Sequence, residues 1–245
     1  MIMMYRQLCS EFYDVDKKYA STKEVNFYQK FFNKNDLILE PMCGSGRLLI
    51  PLMQKGYTIH GIDNSPEMLK ACKERAAQLN LAPILFEESI ENIKLSDQYD
   101  GIIIPSGSFQ LLYPRLLAFQ VLEIFKKHLK PAGKLIMDLF VPWDVLYENN
   151  EEERSTREVT TNDGVLIQAT FHNKANKYEQ FIVGETRYAK FIQEKIVAEE
   201  DEQITLCWYY RYEMELILEK CGFKNICCEK RLLNNTDYMT FIAEC

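Results

Sequence analysis

The stretch LILEPMCGSGRLLIPL, residues 37–52, constrains the fold more than any other part of the chain. Apolar Leu37, Ile38 and Leu39 end in Glu40 and Pro41. A turn containing Gly44 and Gly46 follows, and then an apolar run of helical character, expected over 45–55. A buried strand that becomes a helix across a glycine turn is the opening unit of a parallel α/β sheet. The next segments repeat that unit. A strand is expected at 57–62. Ser65 is placed as the N-cap and Pro66 as the first residue of a helix. Further strands are expected at 83–86, 99–104 and 134–140, with an amphipathic helix over 114–129 and a turn at 131–133. Strands alternating with helices imply βαβ units and a mostly parallel sheet.

From about residue 155 the hydrophobic period changes to two. Asn162-Asp163-Gly164 reads as a hairpin turn, 173–177 as a second turn, and the acid run Glu199-Glu200-Asp201-Glu202 as a third, solvated one. This segment is an antiparallel meander inserted into the α/β unit. A helix at 212–221 and strands at 223–229 and 238–243 complete the pattern. The expected organisation is a cover and ligand-binding core over 1–140, an inserted antiparallel β lid over 141–207, and a returning helix and hairpin over 208–245.

Bulk properties remove several classes. A length of 245 residues suits one large domain, or one with an inserted subdomain. A net charge of −7 gives no overall electrostatic case for a nucleic-acid partner. No apolar run is long enough to span a bilayer, and the first residues lack a signal-peptide pattern. The eight cysteines show no C-x-x-C spacing, which points to reduced thiols, no metal site and a cytoplasmic location.

The glycine turn narrows the ligand. Asp63, at the end of the second strand, can accept hydrogen bonds from both hydroxyls of an adenosine ribose. A dinucleotide motif would need a third glycine where the chain has Leu49, and Glu40 would meet a pyrophosphate with like charge. No P-loop motif is present. A nucleoside with a cationic end fits Glu40 better, and S-adenosylmethionine is such a molecule, with a sulfonium, an ammonium and no phosphate.

At these residues the chain resembles the class I S-adenosylmethionine-dependent methyltransferases. Glu40-Pro41-Met42-Cys43-Gly44-Ser45-Gly46 matches the first motif, with Met42 in place of its first glycine. Gly61-Ile62-Asp63-Asn64-Ser65-Pro66-Glu67-Met68 matches the second. The third falls at Glu88-Ser89-Ile90-Glu91, with Ser89 in the slot of the usual acid, and the fourth at residues 100–109. The resemblance implies an α/β, Rossmann-like, seven-stranded sheet with helices on both faces and a final antiparallel hairpin. It implies S-adenosyl-L-methionine as methyl donor and S-adenosyl-L-homocysteine as product. It assigns donor contacts to Glu40, Met42, Gly44, Gly46, Asp63, Asn64, Met68, Ser89, Ile90 and Pro105. Tyr13 and Tyr19, in a tyrosine-bearing cover, either close over the donor or simply pack.

The inserted lid is similar to that of sugar-amine and glycine-type N-methyltransferases, which implies transfer to nitrogen or oxygen of a small-molecule acceptor. Acceptor contacts are expected among Phe109, Gln110, Tyr113, Asp138, Trp143, Arg187, Tyr209 and Arg211. His172 is the candidate general base. Two alternatives stand beside this reading. One is an RNA or DNA base methyltransferase, because Glu40–Gly46 also looks like D-P-F-x-G-S-G; the partner motif with its stacking aromatic is absent at Ile104-Pro105-Ser106-Gly107. The other is a cofactor-binding protein without transferase activity. Oligomeric state is not legible.

Overall fold

The computed structural model describes residues 5–147, 152–233 and 236–245. Residues 1–4, 148–151 and 234–235, inside the expected units, lie outside the described residues.

Two sheets organise the chain. The larger has β1 (Leu37–Pro41), β2 (Thr58–Asp63), β3 (Ile84–Glu87), β4 (Tyr99–Ile104), β5 (Leu129–Phe140), β10 (Lys224–Leu233) and β11 (Thr236–Glu244). Their spatial order is β10-β11-β5-β4-β1-β2-β3. The pairs β1–β2, β1–β4, β2–β3 and β4–β5 are parallel, and β11 runs antiparallel to β5 and β10. Crossovers use α3 (Leu49–Gln54), α4 (Pro66–Ala77) and α5 (Arg115–His128). Strand order reverses between β1 and β4, the place where open α/β sheets bind ligands.

The period-two alternation of strands builds a core on each face. In β4, Ile102 and Ile104 join Phe109, Phe125, Leu218 and Phe241 on one side. Ile103, between them, faces Tyr28, Phe32, Ile38 and Ile50 on the other. Gly101 is there because Phe32 lies against it: a Cβ would stand 2.0 Å from Phe32 Cε1.

The second sheet is the inserted meander, β6 (Glu152–Thr160), β7 (Leu166–Asn176), β8 (Phe181–Ile192) and β9 (Lys195–Cys207), each antiparallel to the next. Two expected turns are corrected: residues 173–176 are paired within β7, so the second reversal falls at 177–180, and the third lies elsewhere too. Glu199–Glu202 lies inside β9, and the reversal falls at Gln193-Glu194, both with positive φ. Charge marked the acid run as solvated, yet alternate residues of a strand face opposite sides. Two helices precede the sheet, α1 (Gln7–Asp16) and α2 (Thr22–Tyr28). The latter is capped by Ser21, whose side chain accepts from Glu24 N. Short α6 (Trp143–Tyr147) follows β5, and α7 (Arg211–Lys220) precedes β10. Among the described residues no helix is long and apolar enough to cross a membrane.

Candidate active site

The helix after β1, α3, begins at Leu49, later than the expected 45–55, because Gly44 and Gly46 both have positive φ and break the helical path. Met42 has φ 57°, so it keeps the left-handed backbone at the position where the resembling motif carries glycine. The loop thus bends away from the sheet and leaves a cavity of about 180 Å³ at the carboxyl ends of β1, β2 and β4.

Glu40, Met42, Gly44, Asp63, Asn64, Met68, Ile90, Pro105 and Tyr13 all line this cavity. The Glu40 carboxyl is buried, and its Oε2 has no hydrogen-bond partner. Burial pushes its pKa up to about 8, and nearby Glu24 and Asp63 add to this while Arg47 opposes it. Asp63 Oδ2 accepts from Gly44 N at 2.7 Å and Oδ1 from Ser65 N at 3.0 Å. Burial raises its pKa, and these backbone donors counteract the rise. A carboxylate oxygen accepting one bond keeps further lone-pair capacity, so two hydroxyls can still be met here.

Three residues expected at the donor do not line the cavity. Gly46 faces the protein: a Cβ there would stand 2.6 Å from Cys72 Sγ, so the glycine serves helix packing, whereas at Gly44 it would meet only Met68 Sδ at 3.8 Å. Glu88 and Ile90 line the wall on either side of Ser89. Tyr19 is exposed, and the Arg75 guanidinium lies 4.5 Å from its ring centroid.

The expected acceptor residues divide sharply. Tyr113 lines the cavity, half-exposed, with its ring 5.5 Å from that of Phe181 in β8. Phe109 and Tyr209 are fully buried against each other in the core. Gln110 ties loop to sheet, donating to the carbonyls of Phe140 and Cys207 and accepting from Phe140 N. Asp138 is buried and fully engaged by Tyr28, Ser106 N, Arg231 and Thr240. Trp143 stacks on Tyr147, and Arg211 pairs with Glu215 along α7. Arg187 pairs with Glu199, and His172 sits between Glu152 and Glu185. Strand parity explains these last two. Ile167, Ala169 and Tyr188 face α1, so His172 and Arg187, an odd number of residues away along β7 and β8, face the other side.

The sequence reading missed Arg47 and Tyr5. Arg47 is buried, donates to both oxygens of Glu24 at 2.8 and 2.6 Å and to Ser106 Oγ at 2.6 Å, and is the single cation among the described lining residues. Tyr5 reaches the cavity from the chain before α1. Neither carries a local signal: Arg47 is defined by a partner in α2, and Tyr5 by the docking of a helix.

The arrangement matches known proteins. A family model described as a methyltransferase domain matches residues 38–133. A Bacillus subtilis (strain 168) protein named as a methyltransferase, YqeM, is 34% identical over 107 residues, covering 42% of this chain and 41% of that protein. The chain thus spans under half the length of that relative. An S-adenosylmethionine-dependent methyltransferase from Clostridium acetobutylicum superposes with TM-score 0.76 at 18% identity, covering 99% of both chains. CalS10 from Micromonospora echinaspora, an amino pentose methyltransferase solved with the donor bound, gives TM-score 0.72 at 15% identity, covering 100% of this chain and 99% of that one. Residues 38–133 thus carry a methyltransferase domain, and the chain shares the fold of S-adenosylmethionine-dependent methyltransferases.

Proposed function

We propose that the protein transfers the methyl group of S-adenosylmethionine to a nitrogen or oxygen of a small-molecule acceptor. The observation that carries the reading is the buried Glu40 Oε2, without a partner, in the wall of a cavity also lined by Asp63 and Arg47. An orphaned buried acceptor invites a donor. In this reading the α-ammonium meets Glu40, the carboxylate meets Arg47, and the ribose hydroxyls meet Asp63. Cation, anion and neutral diol thus each find a complementary group.

The donor supplies a methyl carbon already activated by its sulfonium. The chain's task is to orient and to exclude water, and such positioning accounts for about 7–11 kcal/mol in well-aligned reactions. Tyr13 and Tyr5 close the side toward α1. Ser106 and Tyr113 form the wall where an acceptor enters. His172 faces away and is not a base in this scheme; a neutral amine attacks through its free lone pair as the C–S bond breaks and then gives its proton to water, whereas a hydroxyl acceptor would need a base. The small-molecule acceptor is supported by the meander beside the cavity, the net charge of −7 and the amino pentose substrate class named for CalS10.

The test is a panel of amines, amino sugars, hydroxyl compounds and RNA with a labelled donor. Transfer to one of the small molecules, abolished by Glu40→Gln, is expected. Transfer to RNA alone would reverse the acceptor assignment.

A further inference from the structure

Helix α1 carries no cap of its own. Arg6 at its N-cap makes no side-chain bond to it, and its first turn holds no acid. The exposed donors are met from the lid. Glu200 of β9 accepts from Leu8 N at 3.2 Å and from Cys9 N at 3.1 Å, and Glu202, on the same face, accepts from Tyr5 N. Arg157, Ala169, Tyr188 and Glu200 are paired in one row across all four strands. Each meets α1. Arg157 bonds Asp16 at 3.2 Å, Ala169 packs with Leu8, Cys9 and Phe12, and the Tyr188 hydroxyl lies 3.2 Å from Cys9 Sγ. Lys190 bonds Glu11 at 2.7 Å. Toward the parallel sheet, Ser65 Oγ donates to Tyr5 O at 2.8 Å and Arg75 binds Asp14 at 3.1 Å. The helix is therefore fixed between lid and core, with Tyr5 and Tyr13 in the cavity wall.

We propose that Glu200 is a positioning residue for the donor site. The lid supplies, from a distant strand, the N-terminal cap of the helix that completes the cavity. A ten-residue helix is too short to persist without outside support, so the wall formed by Tyr5 and Tyr13 holds only while the sheet is docked on α1. The inference rests on reading the cavity as the donor site. Its consequence is linkage: a donor held against Tyr5 and Tyr13 favours the docked lid, and the docked lid retains the donor.

The test uses the full chain with Glu200→Ala, Glu200→Gln and, as control, Glu199→Ala on the opposite face of β9. Amide exchange of Glu11, Phe12 and Tyr13 is measured without ligand, and S-adenosylhomocysteine binding by calorimetry. In Glu200→Ala these amides exchange about fivefold faster or more, the factor a lost cap carries. Affinity for S-adenosylhomocysteine falls by a similar factor while the melting of the seven-stranded sheet is unchanged. Glu200→Gln, which keeps an accepting oxygen, recovers part of both, and Glu199→Ala changes neither. Wild-type exchange in Glu200→Ala, or loosened amides with unaltered affinity, would overturn the proposal. A wild-type protein that fails to bind S-adenosylhomocysteine would instead overturn the reading of the cavity, and the exchange arm would still decide the cap.

Discussion

Burial holds the Glu40 carboxyl neutral up to about pH 8 in the free protein, and a cation beside it would reverse that preference. Donor binding near neutral pH therefore releases a proton from Glu40. Affinity is expected to rise by up to about tenfold per pH unit between about pH 6 and 7, and to level off toward pH 8, where free Glu40 ionises and the donor's amino group loses its proton. Calorimetry in buffers of different ionisation enthalpy measures this, and Glu40→Gln flattens the profile. The same residue acts oppositely on stability. Its folded pKa lies above the unfolded value, so the native state holds the proton longer and stability falls as pH rises from about 4.5 to about 8. Thermal melting of the ligand-free Glu40→Gln protein should thus exceed wild type at pH 8 and match it near pH 4. Asp63→Ala should weaken S-adenosylhomocysteine by about 1.5–3 kcal/mol, the loss expected for charge-assisted bonds. Both acids were legible because they end strands beside the glycine turn. Arg47 was not: its partner Glu24 lies in another helix, and tertiary packing alone brings the two together.

The glycine loop shows what element-level reading captures and what it merges. The sequence placed the turn correctly but gave Gly44 and Gly46 one task. In the fold Gly44 faces the cavity and Gly46 faces Cys72. Gly46→Ala should lower the melting temperature more than Gly44→Ala, because its Cβ clashes with Cys72 Sγ as well as adopting positive φ. Gly44→Ala should cost more ligand affinity, as read by calorimetry on the same two variants. The meander was visible from its period of two, and Asn162-Asp163-Gly164 correctly located its first reversal. The last reversal had no such mark, since Gln193 and Glu194 take positive φ without glycine or asparagine. That slip hid the strand on which Glu200 and Glu202 face α1. Strand parity within β7 and β8 turns His172, the candidate base, and Arg187, a candidate acceptor contact, away from α1.

At the scale of the molecule, the mostly parallel sheet was legible because strands alternate with helices, and its seven strands with a final antiparallel hairpin followed from the family resemblance. The contact between lid and cover helix was not, since it joins residues 5–16 to residues 157–202. The cavity is lined by the cover segment and the loops of the parallel sheet, and among the described residues the meander reaches it only through its contacts with α1 and Tyr113. Among the described residues, the lining of the cavity combines Glu40, Asp63, Glu88 and Glu91 with a single cation, Arg47, an arrangement suited to a zwitterionic nucleoside and poor for a polyphosphate. A crystal structure of the protein soaked with S-adenosylhomocysteine tests this most directly. The account predicts the amino group within hydrogen-bond distance of Glu40 and the ribose hydroxyls at Asp63. A nucleoside bound elsewhere, or a cavity that stays empty at saturating ligand, would contradict it.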